Sequence, residues 1–366
     1  MNSLTGKRTL LSLSRRAPII LMTGPLGCGK AALARSCFPE KSFIDLENPT
    51  MRSLACRSPK TFLMAFPDGA IIKEIYLVPG MLEAVRYHVD RMGAQGGRFI
   101  LTSTKKVQAD SMDGRLRIMN VLGMDVSDMD AAKVSTYNPF QVMLDGQFPG
   151  VLAEETTIES FIEALLQNHI LNNINVSNLP LLRHFMQLCA QRSSLRFSMN
   201  SFASLCGISA PTAKSWIRIL EEYNVLNIID SHLFFTDTGV LCHLLGINNV
   251  KDLILDSLRS SVTRTFALNE LLKGRHSKTF EPEISILTDE SGPDFSSRWN
   301  QRYVMTVEPN IDVTEETIAK VRKLEKKPGI KTLVLYLGDV TYSIGRTDCI
   351  SFRDWSKLSS EIDYFS

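Results

Sequence analysis

The sequence predicts an α/β protein that opens with a three-layer sandwich and closes with an α+β domain. Residues 18–23 form a continuous apolar run that ends at glycines, as expected of a parallel strand buried on both faces. Strand-like and helix-like segments then alternate as far as residue 104. From residue 251 onward, short strands and a charged helix replace this alternation, which indicates a separate domain.

Local patterns place the elements of the sandwich and the domain boundaries. After the first strand we expect a helix over residues 30–37, a short strand and turn over 41–49, a helix over 50–66, a strand over 69–76, an amphipathic helix over 81–93 and a strand over 96–104. Residues 124–156 lose the pattern and are predicted to form a connection, and a helical pattern follows over 157–192. The predicted domains are therefore 1–156, 157–250 and 251–366.

Bulk composition narrows the classes of function. A length of 366 residues allows two or three domains. The net charge of +2 gives no general attraction to nucleic acid or to membranes, so any such contact must come from a local patch. The seven cysteines form no CxxC pair, and we expect free thiols in a reducing compartment. The apolar run near residue 20 is too short to cross a membrane, so the sequence predicts a cytoplasmic protein without membrane contact.

A glycine-rich turn follows the first strand. The motif GPLGCGK has the GxxxxGK spacing of a phosphate-binding P-loop, and it lies between a buried strand and a helix, as this motif requires. Glycines let backbone N–H groups turn inward, and the helix that begins at Lys30 adds the positive end of its dipole. ATP is the expected ligand, and a glycine-rich turn without a ligand is the alternative. The expected nucleotide-binding residues here are Gly24, Pro25, Leu26, Gly27, Cys28, Gly29, Lys30 and Ala31.

Two positions that ordinarily hold Mg²⁺ carry other residues. Ala31 stands where the full motif has a hydroxyl that binds the ion, so Thr102, Ser103 or water would have to substitute. In the strand AIIKEIY, Lys73 replaces the first acid of the Walker B pair, while Glu74 keeps the place of the second. A cation there repels a metal and can itself pair with phosphate, and an ordinary surface Lys-Glu pair is the alternative. No metal ligand is therefore assigned, Mg²⁺ is expected to be weakly held, and hydrolysis is expected to be weak or absent.

In this order, the motifs resemble a family of prokaryotic AAA-like P-loop ATPases in which a winged helix and a restriction-endonuclease-like domain follow the ATPase part. The similarity covers GPLGCGK, FIDLENP, KEIYLVP and GRFILTST. It implies that Glu74 is the catalytic base, that Ser103 senses the γ-phosphate, and that Arg115 in DGRLRIM is a finger acting on a neighbouring subunit. A solvated arginine at a helix end is the alternative for Arg115. The substitutions at Ala31 and Lys73 mark a divergent member.

Residues 196–247 contain a candidate winged helix, over the stretch that begins at Ser198. The first helix carries Phe202 and Leu205, Gly207 makes the turn, and the second helix carries an apolar face around Trp216. Strands over 225–229 and 233–235 would form the wing. The expected exposed positions are Ser209, Thr212, Lys214, Ser215 and Arg218. Because only two of these are basic, DNA is one candidate partner and a protein contact is the other.

The last domain has lost most of the metal-binding set that the resemblance implies. Arg264 stands at the helix position where relatives have a glutamate, and Asp294 keeps the expected aspartate. Thr306 and Glu308 fall where a glutamate and a lysine are expected, and a shifted register would pair Glu308 with Asn310. One carboxylate cannot hold the metal alone. We therefore predict a degenerate nuclease-like domain.

The sequence thus predicts an ATP-binding, AAA-like protein with weak or lost hydrolysis, acting as a nucleotide-dependent switch or assembly subunit. A further copy of the chain or another protein is the expected partner. Two alternatives stay open. One is an active ATPase with a substitute metal ligand, and the other is a non-enzymatic DNA-binding or scaffold module.

Overall fold

The computed structural model describes residues 4–93, 95–109, 114–131, 138–171, 179–273, 284–287, 294–298, 302–325 and 329–361. The chain forms two compact units. The first comprises Met1–Gly123 and, from a distant part of the chain, Glu222–Asn224. The second comprises Met124–Glu221 and Val225–Ser366.

The first unit contains a five-stranded parallel sheet. Its strands are β1 (Ile19–Thr23), β2 (Ser42–Asp45), β3 (Ala70–Lys73), β4 (Phe99–Ser103) and β5 (Leu116–Asn120). The order across the sheet is β2-β3-β4-β1-β5, so every connection crosses over a face of the sheet. Every residue of β1 and β4 is buried, which explains the unbroken apolar run of β1.

Helices cover both faces of this sheet. They are α1 (Leu4–Ser14), α2 (Lys30–Cys37), α3 (Pro49–Arg57), α4 (Pro59–Leu63) and α5 (Met81–Met92). Alternate β1 residues Ile19 and Leu21 share one core cluster with residues of α3, α4 and α5. Helices α1 and α2 contact β1, β3 and β4 instead. The unit is therefore the three-layer sandwich that the sequence predicts.

Three local predictions in this unit need correction. The helix expected over 50–66 is two helices, because Pro59 lacks the N–H that a continuous helix needs and holds Ser58 in an extended conformation. The strand expected over 69–76 ends at Lys73, since Glu74 adopts a left-handed conformation with φ of 59°. Strand β5 and helix α1 were not predicted, because their short patterns alternate too little to stand out from loops.

The second unit begins with helices. They are α6 (Val126–Ala131), α7 (Pro139–Asp145), α8 (Pro149–Leu152), α9 (Ile158–Ala164), a π-helical turn (Leu165–Ile170), α10 (Leu179–Gln191), α11 (Met199–Cys206), α12 (Ala210–Glu222), α13 (Thr238–Leu245), α14 (Val250–Leu255) and α15 (Arg259–Lys273). Helices α11 and α12 are joined through Gly207, which has a left-handed φ of 66°. The strands β6 (Leu226–Ile229) and β7 (His232–Phe235) then pair as an antiparallel hairpin.

The connection expected over 124–156 contains helices α6, α7 and α8 instead. Its side chains also belong to the second unit, because Gln147 donates 2.7 Å to Glu270 of α15 and accepts from Lys273. The compact sandwich ends at Gly123 rather than at the predicted boundary of 156. These helices are too short for a helical period to show in the sequence.

The carboxy-terminal part forms a six-stranded mixed sheet. Its strands are β8 (Ile284–Leu287), β9 (Asp294–Arg298), β10 (Arg302–Glu308), β11 (Ile330–Tyr336), β12 (Tyr342–Ile344) and β13 (Thr347–Ser351), in the order β12-β13-β11-β10-β9-β8. Helix α16 (Glu315–Leu324) connects the parallel strands β10 and β11, and α17 (Trp355–Glu361) follows the last strand. This is the α+β arrangement expected from residue 251 onward. Among the described residues, no helix has the length and apolar character that crossing a membrane would need.

Candidate nucleotide-binding site

The predicted P-loop lies between the carboxyl end of β1 and the first residue of α2. Its three glycines all have positive φ, at 153° for Gly24, 74° for Gly27 and 89° for Gly29. A Cβ atom at Gly24 would lie 1.9 Å from the carbonyl oxygen of Val121, so only glycine fits there. The first turn of α2 has no acidic residue and no side-chain cap. The unpaired N–H groups of that turn therefore have no carboxylate of their own helix competing with an incoming anion.

Lys30 lies inside this loop and is 5% exposed. Its ammonium donates to the carbonyl oxygens of Gly24 at 2.8 Å and Pro25 at 2.7 Å. It also lies 3.4 Å from the hydroxyl of Thr104. The lysine is thus held at the loop by its own backbone, with its charge at the place that the motif requires.

Cys28 is also buried in the loop, at 3% exposure. Its sulfur lies 3.6 Å from the ammonium of Lys30. Burial raises the pKa of the Cys28 thiol, although the nearby positive charge opposes this. The thiol is therefore neutral, and it fills space beneath the loop rather than acting as a nucleophile.

Glu74 lies at the end of β3 and is 2% exposed. Both of its carboxylate oxygens accept hydrogen bonds from Thr104, one from the backbone N–H at 2.7 Å and one from the hydroxyl at 2.8 Å. Its own N–H donates to the hydroxyl of Thr102 at 3.3 Å. Glu74 therefore keeps the position predicted for the base, but its carboxylate is hydrogen-bonded to Thr104, the residue that follows β4.

Ser103 and Thr104 have different surroundings, although they are neighbours. The hydroxyl of Ser103 donates to the carbonyl oxygen of Lys105, within its own turn. Thr104 follows the last residue of β4, and it contacts both the ammonium of Lys30 and the carboxylate of Glu74. The role of Ser103 as a sensor of the γ-phosphate stays a prediction.

Lys73 has carboxylate partners. Its ammonium lies 3.0 Å from Asp45, the last residue of β2, and is also hydrogen-bonded to Glu47, two residues further on. Burial favours a lower pKa for Lys73, but hydrogen bonds to Glu47 and Asp45 outweigh it and raise the pKa. The lysine is therefore charged, and its charge is neutralised within the protein rather than offered to a phosphate. A surface pair with Glu74, the alternative considered above, is not the arrangement found.

The residues present do not fit a tightly bound magnesium ion. Ala31 offers only a methyl group, and Lys73 places an ammonium where the metal-side acid would stand. Within the part of the chain that the structure describes, no group of three or more His, Cys, Asp or Glu side chains is arranged to hold a metal ion.

Arg115 precedes β5, at the opposite end of the sheet from the P-loop. Its carbonyl oxygen accepts the N–H of Ile19, the first residue of β1, whereas the loop follows the last residue of that strand. Its guanidinium pairs with Asp90 of α5 at 2.8 Å. Arg115 therefore takes no part in the P-loop site of its own chain, and action on a neighbouring subunit stays a prediction.

A segment that sequence patterns did not assign to the site also lies in the first unit. Glu222 pairs with Lys105 at 3.3 Å, and Asn224 donates to the carbonyl oxygen of Thr104 at 2.8 Å. The ring of Tyr223 meets that of Tyr76 edge-on, with centroids 5.9 Å apart. The backbone of this segment is unusual at Asn224, which has a left-handed φ of 55°. No sequence motif points to this conformation.

The predicted positions in the second unit have more ordinary surroundings. On α12, Lys214, Ser215 and Arg218 are exposed, and Ser209 and Thr212 share a hydrogen bond at the start of the helix. In the last sheet, Glu308 is 1% exposed and accepts hydrogen bonds from Asn310, Thr314 and Thr317. Its carboxylate is therefore engaged within the protein by residues at the start of α16, whose N-cap is Thr314. The side chain of Asp294 lies outside the described residues.

Comparisons with known families support the assignment of the first unit. Residues 16–129 match the family model of an AAA domain, and residues 139–232 match the model of a domain of unknown function. The first match confirms an AAA-like P-loop fold in the amino-terminal part and supports a nucleotide-binding, ATPase-like function there.

Two relatives are uncharacterized proteins from Mycobacterium tuberculosis and Mycobacterium bovis. Each is 23% identical to this chain over 261 residues, which cover 64% of this chain and 57% of the relative. The chain therefore spans little more than half the length of these relatives.

Solved structures with partial similarity include two ATP-related proteins. The Walker-type ATPase of Pyrococcus abyssi has 13% identity and a TM-score of 0.45, covering 66% of this chain and 95% of that one. AMPPCP-bound DnaA from Aquifex aeolicus has 14% identity and a TM-score of 0.28, covering 60% of this chain and 86% of that one. With scores below 0.5, neither structure bears on the function of this chain.

Proposed function

We propose that this protein binds ATP at the P-loop with little help from Mg²⁺, hydrolyses it slowly or not at all, and acts as a nucleotide-dependent switch or assembly subunit. The observation that carries this proposal is the loop itself. It combines three glycines of positive φ, a buried Lys30 and a helix start without acidic residues. Backbone N–H groups that turn inward, a nearby ammonium and the positive end of a helix dipole together favour the binding of a polyphosphate.

Slow hydrolysis follows from the groups around the loop. Phosphoryl transfer needs a cation that offsets the charge developing on the phosphate, and the two positions that ordinarily hold it are Ala31 and Lys73. The group in the place of the base, Glu74, gives both oxygens to Thr104. Each oxygen of that carboxylate already accepts one hydrogen bond, which restrains it from turning toward an attacking water.

A titration with a fluorescent ATP analogue tests binding. We expect saturable binding in EDTA and in Mg²⁺, and a loss of at least about tenfold in affinity in Lys30→Met, because one charge-assisted contact to phosphate disappears. Lys41→Met is the matched control, since Lys41 also donates to two backbone carbonyl oxygens, those of Asp68 and Arg98. Absence of binding by the wild type under both conditions would refute the proposal.

The active ATPase is the second candidate, and the retained Glu74 is the observation that favours it. Steady-state phosphate release separates the two. Turnover that vanishes in Glu74→Gln would establish the enzyme, whereas ATP binding without turnover supports the switch.

The proposal extends to the parts that follow the ATPase domain. Helices α11 and α12 with the β6–β7 hairpin are proposed to be a winged helix, because Gly207 forms the turn and the hairpin follows directly. The last sheet is proposed to be a degenerate nuclease-like scaffold, because the Glu308 carboxylate is occupied by hydrogen bonds from Thr314 and Thr317. Band-shift assays at two salt concentrations test DNA as the partner. Binding that falls with added salt would support it, and its absence at low salt would leave a protein partner.

A further inference from the structure

The segment Glu222–Asn224 holds the turn that follows β4 from several sides. Besides the Glu222–Lys105 ion pair, the carbonyl oxygen of Glu222 accepts the N–H of Lys106 at 2.7 Å. Asn224, which is 7% exposed, donates to the carbonyl oxygen of Thr104. These contacts hold the backbone from the carbonyl group of Thr104 to the N–H of Lys106.

Thr104 is in turn the residue that links the nucleotide site together. It is fully buried, it supplies both hydrogen bonds to the Glu74 carboxylate, and its hydroxyl lies 3.4 Å from the ammonium of Lys30. A polyphosphate in the P-loop attracts that ammonium and repels that carboxylate. Both effects act on Thr104 directly, because each group is bonded to it.

We propose that Asn224 is a positioning residue. It transmits the nucleotide state of the P-loop, through Thr104, to the chain on either side of the segment Glu222–Asn224. Helix α12 ends at Glu222 and β6 begins at Leu226, so the segment is covalently continuous with both. This inference rests on the proposed function, since it requires ATP to bind at the loop. It adds that ATP binding changes the segment Glu222–Asn224 and that this change depends on Asn224.

The conformation of Asn224 allows a clean substitution. Its φ of 55° is in the left-handed region, which Asp and Gly also adopt with little strain. Asn224→Asp replaces the donor with a carboxylate that repels the carbonyl oxygen of Thr104, and Asn224→Gly removes the side chain altogether. Asn248→Asp is the matched control, because Asn248 donates in the same way to the carbonyl oxygen of Gly246 at an exposed position.

Hydrogen exchange of the full chain, with and without the ATP analogue, is the test. In the wild type we expect ATP to change the exchange rates of the Lys106 and Val225 amides by about threefold or more, since their acceptors are the carbonyl oxygens of Glu222 and Leu220. In Asn224→Asp and Asn224→Gly we expect the analogue to bind with unchanged Kd while this change disappears. Asn248→Asp should behave like the wild type.

The outcomes separate the two levels of the proposal. If the wild type does not bind ATP, the proposed function fails and the coupling fails with it. If the wild type binds ATP but each of the two amides exchanges at the same rate with and without ATP, only the coupling is overturned. A change of wild-type size that persists in both Asn224 variants also overturns it.

Discussion

Lys73 lies where a metal-side acid stands in the ATPases that the sequence resembles, and its ammonium is paired with Asp45 and Glu47. The substitution was visible in the sequence, but its consequence was not, because the pairing depends on the parallel register of β2 and β3. That register places Asp45 directly beside Lys73. The internal ion pairs explain how a lysine is accommodated at this point without a phosphate.

Restoring the two missing groups should restore dependence on magnesium. In the double variant Ala31→Ser with Lys73→Asp, a hydroxyl and a carboxylate return to the positions from which the ion is ordinarily held. We expect Mg²⁺ to increase the affinity for ATP by about tenfold in this variant and by much less in the wild type. Titration with and without EDTA measures this. An equal effect of Mg²⁺ on both proteins would contradict the account of Lys73.

Thr104 is a second residue whose importance sequence patterns did not show. Thr104→Val keeps the shape and the backbone N–H but removes the hydroxyl that serves Glu74, leaving a buried carboxylate with one donor fewer. We expect the free energy of unfolding to fall by about 2 kcal/mol, as measured by calorimetric melting. Ser103→Ala is the control and should cost about 1 kcal/mol or less, because its hydroxyl serves only its own turn. An equal or larger loss in Ser103→Ala would contradict the conclusion that the hydroxyl of Thr104 supports the buried Glu74 carboxylate.

At the level of elements, the backbone of the P-loop takes a path that only a glycine allows at position 24. Gly24→Ala would bring a Cβ atom to 1.9 Å from a backbone oxygen, so we expect a loss of more than about 2 kcal/mol together with loss of ATP binding. Gly80 offers a comparison, since it has φ of 77° but no atom within 4 Å of a Cβ. Gly80→Ala should therefore cost only about 1–2 kcal/mol of local strain and should keep ATP binding. Comparable losses in the two variants would refute the steric argument.

Strong periodicity is what made elements predictable here. β1, α2 and α5 were placed from sequence because each has an unbroken apolar run or face, and the P-loop between β1 and α2 followed from its glycines. The helices α6, α7 and α8 were missed because each is shorter than two or three helical turns. What stabilises them is tertiary: the N–H of Val126 donates to Glu270, and that of Gln147 donates to Asp237. Contacts this distant along the chain leave no local pattern.

The same limit applies to the candidate site. Gly24 to Lys30 and Glu74 were found because their spacing is a motif. Thr104 and Asp45 were not, since tertiary contacts bring them to the site, and neither was Asn224, which contacts Thr104 from a distant segment outside the site. The resemblance pointed to Ser103, whereas the contacts to Lys30 and Glu74 are made by Thr104, the residue after β4.

At the level of the whole molecule, a buried group of ionisable side chains connects distant parts of the second unit. Burial, followed by the charges of Glu270 and Asp128, raises the pKa of Asp125 to about 7. Lys273 opposes this shift. The native protein therefore keeps a proton on Asp125 over a pH range in which the unfolded chain, with a pKa of 3.8, has released it.

Stability of the second unit should consequently fall as pH rises from about 4 to about 7, because ionising Asp125 is unfavourable only in the native state. We expect a loss of up to about 4 kcal/mol over this window. Asp125→Asn should make the curve flatter and the protein more stable at pH 8, since its amide oxygen can still accept the N–H of Asp128. All three tryptophans lie in the second unit, so denaturant unfolding followed by tryptophan fluorescence reports on it selectively. Parallel pH curves for the two proteins would contradict this assignment.

A run of backbone amides and one lysine is proposed to bind ATP with little contribution from a metal. Calorimetric titration of the full chain with ATP, once in EDTA and once in Mg²⁺, is the decisive experiment, with Lys30→Met as the loop variant. We expect Kd values that agree within about threefold between the two conditions, and a loss of at least about tenfold in affinity in Lys30→Met. Binding that requires Mg²⁺, or binding that does not depend on Lys30, would contradict it.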